Sequence, residues 1–211
     1  MSIEAFGRLI EKSCLLDRPD PALEWQQMAD EQQALCAYLD TVDELHIESR
    51  GTDLTLSVKD RTWISCHGKS DLPDGEVFTG PIEDSVNGTV AFTYPARRVD
   101  GIVLTFKDGV VVDHAAERGE EHLEQMLQIE GGNRLGEIGI GTNYDHQTHV
   151  NHILFDEKMG GTVHLALGGG FPESGSKNVS GLHWDMLLDM RPEGRMYADG
   201  KLIYEKGRFL T

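Results

Sequence analysis

The stretch "SGLHWDMLLDM", residues 180–190, reads as a β-strand with two unlike faces. Side chains alternate along a strand with a period of two, so Leu182, Trp184, Met186, Leu188 and Met190 form one wholly apolar face. His183 and Asp185 share the other. Burying an unpaired carboxylate or imidazole costs roughly several kcal/mol, so this second face needs a partner. A metal ion is one partner; a His–Asp hydrogen bond or a solvated edge strand is the blander alternative for so short a motif.

The surrounding chain supports a sheet protein. From Glu44 onward, "ELHIES", "DLTLSV", "RTWISC", "TVAFTY", "IVLTFK" and "VVVDHA" are short alternating or β-branched runs. Turn signals at Gly51, Asn87-Gly88, Asp100-Gly101 and Asp108-Gly109 separate them, as in an antiparallel meander. The chain closes on a hairpin over residues 195–210 around Asp199-Gly200. The first 40 or so residues read as helix instead: Leu23, Met28, Leu35 and Leu39 recur near helical spacing, with Asp20 as cap and Pro21 in the first turn. One further helix is predicted over residues 119–130. These elements predict an α+β fold, a helical lead-in over 1–43 followed by a β-rich domain over 44–211, together one compact unit of 211 residues without internal repeat or linker.

Composition narrows the function. With 36 acidic against 19 basic residues the formal charge is −17, which argues against nucleic acid or an anionic membrane as partner. No apolar run approaches the roughly 20 residues of a spanning helix, and the N-terminus lacks a signal-peptide pattern, so a cytoplasmic location is expected. Cys14, Cys36 and Cys66 form no Cys-x-x-Cys pair and fit a reducing compartment.

Two more strands repeat the pattern of His183 and Asp185. In "GGTVHLALGGG", Val163, Leu165 and Leu167 take one face while His164 lies opposite, between the small residues Thr162 and Ala166. In "RLGEIGIGTN", Ile138 and Ile140 are the apolar face, and Glu137 points the other way beside Gly139 and Gly141. Glu76 follows an Asp74-Gly75 turn at the start of another short strand. Together Glu76, Glu137, His164, His183 and Asp185 supply three carboxylates and two imidazoles, a set suited to two divalent ions sharing a carboxylate or water. Glu137, flanked by glycines, is the first choice for a bridging carboxylate, with Asp185 the alternative. The histidines of "DHQTHVNH" fit less well: Gly141, Thr142 and Asn143 break a helix upstream and "ILF" downstream is strand-like, so His146 and His149 are expected on a loop surface.

The segments "LPDGEVFTGP", "DSVNGTV", "LGEIGIGTN", "ILFDEKMGGTVHLALGGGFPESG" and "NVSGLHWDMLLDM" resemble, in order, those of the M29 family of metallo-aminopeptidases, the aminopeptidase T type. The resemblance runs over nearly the whole chain, from "DPALEWQQ" to "DGKLIYEKGRF". It implies two divalent ions (zinc, cobalt, manganese or magnesium) held at Glu76, Glu137, His164, His183 and Asp185, peptide substrates with a free N-terminus, and a homodimer. Family members carry an N-terminal α/β domain ahead of this region, so the chain is expected to be the C-terminal catalytic part. An inactive fragment serving as a dimerisation or scaffold domain is the alternative. The family often has a tyrosine where Phe171 stands, and Phe171 offers no phenol. Hydrolysis also needs a proton acceptor. Glu157, seven residues before His164 across the Gly160-Gly161 turn, is the candidate general base, with Asp156 as substitute.

Overall fold

The computed structural model describes residues 2–69 and 71–210. Two helices open the chain, α1 (Ile3–Ser13) and α2 (Pro21–Leu39), in place of one continuous lead-in. Leu15, with φ of 61°, lies in the turn between them, a left-handed conformation that no helix can continue through. The Asp20 carboxylate accepts the Leu23 N–H at 3.1 Å, and Pro21 begins α2, as its sequence predicts.

All strand pairings within the sheets are antiparallel, but they divide into two sheets. The larger holds β1 (Glu44–Ser49), β2 (Thr52–Ser57), β5 (Asn87–Ala91), β6 (Val103–Lys107), β7 (Val110–Ala115), β11 (Arg195–Ala198), β12 (Lys201–Glu205) and β13 (Arg208–Phe209). The smaller has the order β10 (His183–Asp189), β9 (Thr162–Gly168), β8 (Leu135–Gly141), β4 (Glu76–Thr79) and β3 (Ile64–Cys66). The expected meander is therefore interrupted: after β2 the chain leaves to start the second sheet, and β5 returns to pair with β2. Local alternation specifies a strand but not the sheet it joins. With α3 (Glu120–Leu127) and α4 (Ile153–Asp156), the architecture is α+β.

One apolar core joins the two sheets. Leu45, Ile47, Leu54, Leu56 and Leu104 enter it from the larger sheet, and Val77, Ile138, Ile140, Val163, Leu165, Trp184, Met186 and Leu188 from the smaller. The apolar face of residues 182–190 is fully used in this way. The opposite face of the small sheet is covered too, since every residue of β8 and β9 is buried. Gln32 of α2 helps to cover it, donating to the Cys66 carbonyl and to Thr142 Oγ1 at 3.0 and 2.8 Å.

Two local expectations are corrected. The "ILF" run is not a strand but begins α4; the Asp156 carboxylate accepts the N–H groups of Val150 and His152, each at 2.7 Å, and ties the segment into a turn. His146 is not on a loop surface but fully buried, and His149 is half-buried, stacked on Tyr94 with ring centroids 4.3 Å apart. The loop that carries them is drawn inward by Asn143, whose buried amide donates to the carbonyls of Ser13 and Asp74, both at 2.8 Å.

Candidate metal centre

Register across the small sheet brings the polar face together. Glu76 pairs with Gly141, Gly139 with His164, Glu137 with Ala166, Ala166 with Asp185, and His183 with Gly168. Each ionisable side chain thus has a small residue beside it on the neighbouring strand. The clearance is needed: a Cβ built on Gly139 would lie 2.1 Å from both Cε1 and Nε2 of His164, inside the imidazole ring's own space.

All five predicted donors meet. His164 Nε2 lies 3.3 Å from Glu137 Oε1 and 3.3 Å from Glu76 Oε2. His183 Nε2 lies 3.3 Å from Glu137 Oε2 and 3.4 Å from Asp185 Oδ1. The other ring nitrogen of His183, Nδ1, donates to the Gly169 carbonyl at 2.7 Å, which leaves Nε2 facing the carboxylates. A carbonyl partner of this kind orients metal-ligating histidines. Ligand atoms of Glu137, His164 and Asp185 all lie within 4.8 Å of one another, and so do those of Glu76, Glu157 and His164.

Glu157 is buried, not a solvated turn residue, and joins the cluster from the C-terminal end of α4. Its neighbour Lys158 belongs to the same cluster, and sequence reasoning missed it. Lys158 is 1% exposed, and its ammonium donates to Glu76 Oε1 and contacts Glu157 Oε1 at 2.8 Å. The motif "DEK" in a presumed surface turn gives no sign of this, because a lysine is almost never fully buried unless paired. Asp74 is buried as well, accepting N–H bonds from Gly68 and Gly75 at the head of β4. Phe171 stands at the edge, its ring centroid 5.2 Å from those of both Phe78 and His183.

Proton affinities follow from this crowding. Burial pulls His183 down, but its bonds to Asp185 and Glu137 outweigh it and hold the imidazole up to about 11. His164 is likewise depressed by burial and raised more by Glu137 and Glu76, to about 9. Burial pushes Glu137 up, and hydrogen bonds from the two histidines bring it down to about 2. For Glu76 burial prevails over His164 and Lys158, and its carboxyl is pushed up to about 8. Burial raises Glu157 too, against the pull of Lys158.

The donor set fits a divalent cation. Glu76 Oε2 is buried without a hydrogen-bond partner, and one Nε2 proton of His164 cannot serve the two carboxylates that press on it. Such a surplus of buried acceptors is relieved by a cation. Oxygen and imidazole nitrogen in this ratio suit zinc, cobalt or manganese.

Comparison with known proteins agrees with the geometry. Residues 1–209 match the thermophilic metalloproteases, M29. The chain belongs to the M29 metalloprotease family. It is 34% identical to Aminopeptidase 2 of Geobacillus stearothermophilus over 194 residues, covering 81% of this chain and 46% of that protein. The M29 fold recurs in the structure of wild-type AmpT from Thermus thermophilus, with a TM-score of 0.82 and 26% identity over 97% of this chain and 58% of AmpT. The chain therefore spans about half the length of the relatives it matches. At 20% identity and a TM-score of 0.70, a 2,5-dihydroxypyridine dioxygenase from Pseudomonas putida KT2440 shares the fold over 85% of this chain and 58% of its own. Fold alone does not select the reaction here; the residues of the small sheet must.

Proposed function

We propose that this chain is the catalytic part of a metal-dependent aminopeptidase that releases N-terminal residues from peptides. The observation that carries the reading is the meeting of Glu76, Glu137, His164, His183 and Asp185, drawn from four strands, on one buried, glycine-cleared face. Ligand atoms fall in two groups that share His164, Glu137 with Asp185 and Glu76 with Glu157, and His183 Nε2 lies 3.3 Å from Glu137 Oε2 and 3.4 Å from Asp185 Oδ1.

A divalent ion bound among these donors would supply Lewis acidity, polarising a carbonyl and lowering the pKa of water from 15.7 towards about 7. The chain's own groups provide the rest. Glu137, with one oxygen towards each histidine, would be the carboxylate that bound cations hold in common. Gly169, through its carbonyl, fixes the His183 tautomer that leaves Nε2 free. Glu157 is the proposed proton acceptor: burial raises its carboxyl above the ordinary carboxylate value, and its carboxylate lies in the cluster with Glu76 and His164. The surrounding carboxylates attract a free α-ammonium group, so a blocked N-terminus forfeits that recognition. A cavity of about 440 Å³, lined in part by Arg97, His149, Leu154, Trp184, His183 and Asp185, lies beside the cluster and suits one residue of a peptide.

The test uses an aminoacyl anilide and its N-acetylated counterpart. Release of aniline from the free amine, its loss on chelation and its return on reloading are the expected results. Equal turnover of the acetylated compound would overturn the aminopeptidase reading in favour of a general amidase. Metal uptake with no turnover would favour the scaffold domain.

A further inference from the structure

β10 is an end strand of the small sheet, and two of its residues, His183 and Asp185, belong to the candidate metal centre. Main-chain groups of an antiparallel strand alternate in direction, one residue bonding the neighbouring strand and the next facing away. At both ends of this segment the even-numbered residues bond the β9 side. The Leu182 carbonyl accepts the Gly169 N–H at 2.7 Å, and the Met190 N–H donates to the Gly161 carbonyl at 3.1 Å. His183, Asp185, Leu187 and Asp189 therefore turn their N–H and C=O groups to the outer edge.

Both ends of that edge are closed by the chain itself. Thr93 covers one, donating its N–H to the Leu187 carbonyl at 2.9 Å and accepting the Asp189 N–H on Oγ1 at 3.0 Å. Arg97 covers the other, with Nη2 donating to the His183 carbonyl at 3.3 Å from a turn that Ala96 and Val99 close by bonds of 2.9 and 3.0 Å. Between them the Asp185 N–H and C=O meet no hydrogen-bond partner among the described residues. The gap opens on the cavity of about 440 Å³ that Ala96, Arg97, Leu154, Asp185 and Leu187 line in part. Unpaired main-chain groups at a sheet edge are a template for an extended peptide, which pairs through its own N–H and C=O whatever its side chains.

We propose that the gap at Asp185 is a main-chain socket, which holds one residue of an extended peptide substrate as a short extension of the small sheet. That residue donates its N–H to the Asp185 carbonyl and accepts the Asp185 N–H, as in a hydrogen-bonded antiparallel pair. Because the Asp185 side chain belongs to the metal centre, the socket sets the peptide at a fixed place beside the reacting groups. It reads backbone and not side chain at that position, so it tolerates many sequences. With the His183 and Leu187 carbonyls already taken, one residue pair can form, and the contact orients a peptide without gripping a long strand. The inference rests on the aminopeptidase reading and deepens it.

The probe is the tetrapeptide Leu-Ala-Ala-Ala amide with its first peptide bond reduced to a methylene-amine link, which cannot be hydrolysed, added to the zinc-loaded chain. Two ester analogues carry lactic acid in place of the third or the fourth residue, and each lacks one N–H. Successive N–H groups of an extended peptide point opposite ways, so one ester should bind about tenfold more weakly than the probe and the other within about threefold of it. At saturating probe the Asp185 amide should exchange with solvent at least about tenfold more slowly, while amides of β7, an edge of the larger sheet, keep their rates. Equal affinity of the two esters overturns the proposal, as does an Asp185 amide that saturating probe leaves unchanged. Protection of Asp185 that grows with chain concentration in the absence of probe gives the edge to a second copy of the chain and overturns it too. The parent tetrapeptide, with its first bond intact, separates the two readings. The ester pattern without turnover of the parent sinks only the peptidase assignment, and turnover without the pattern sinks only the socket. A chain that neither binds the probe nor cleaves the parent sinks both.

Discussion

Replacing Gly139 with alanine tests the packing of the polar face most sharply. The glycine needs no unusual backbone angle, so alanine is conformationally admissible and the effect is steric. The added Cβ would lie 2.1 Å from Cε1 and Nε2 of His164, a ring that is itself fully buried and cannot swing into solvent. Either the imidazole or β8 must yield. Overpacking of this kind costs about 1–3 kcal/mol. For a chain of this size each kcal/mol lowers the melting temperature by about 2–4 °C, so a fall of roughly 2–12 °C is expected. Metal affinity should suffer more than stability, because the displaced atom is the proposed ligand atom itself. A loss of about 10–100-fold matches what disturbance of a ligand's orientation produces. Gly181→Ala is the control, since nothing lies within 4 Å of a Cβ there, and it should change stability by no more than about 0.5 kcal/mol. Calorimetric melting of the metal-free chain and titration with zinc read both quantities. A Gly139→Ala chain that melts and binds zinc like the wild type would refute the argument that the glycine makes room for His164.

Three further outcomes follow from the same geometry. In the metal-free chain His183 is held up to about 11 and Glu76 is pushed up to about 8, both above their ordinary values. The contributions of such groups are complete at low pH and are lost as pH rises through the raised values, so the metal-free chain should lose melting temperature from about pH 6 to 10. Bound metal replaces those protons, and the loaded chain should lose less; parallel profiles would contradict this. Because His164 and His183 must shed protons to ligate, zinc affinity should rise from pH 6 to pH 8, with proton release measured by titration calorimetry in buffers of different ionisation enthalpy. A pH-independent affinity would show that the histidines are not ligands. Asp156→Ala removes the acceptor of two backbone N–H groups and should destabilise the chain by about 1–3 kcal/mol, with faster hydrogen exchange at Val150 and His152. Unchanged exchange there would mean that α4 does not depend on that carboxylate.

Much of the candidate site's clustering was legible because it is built from strands, where one residue's face determines its neighbours'. Once Leu182, Trp184 and Met186 are read as core, His183 and Asp185 must lie on the other side, and the same logic isolates Glu137 and His164. Long-range facts were not legible. Whether β4 pairs with β8, and so brings Glu76 to His164, depends on a register between residues some 60 apart that no local pattern encodes. Lys158 looks like any surface lysine until its carboxylate partners, one of them 82 positions away, are placed around it. His146 was misplaced for a similar reason: the polar loop that holds it is pulled inward by Asn143, through bonds to Ser13 and Asp74 from distant parts of the chain. The split into two sheets likewise follows from core formation between them, not from any single strand.

The most direct measurement is an anomalous difference map from crystals of the zinc-loaded chain, recorded on both sides of the zinc absorption edge. A peak among the side chains of His164, His183, Glu137 and Asp185, about 2.0–2.2 Å from the nearest of their donor atoms, is predicted. A map without a peak at that point, with these four side chains still bonded only to one another, would contradict it.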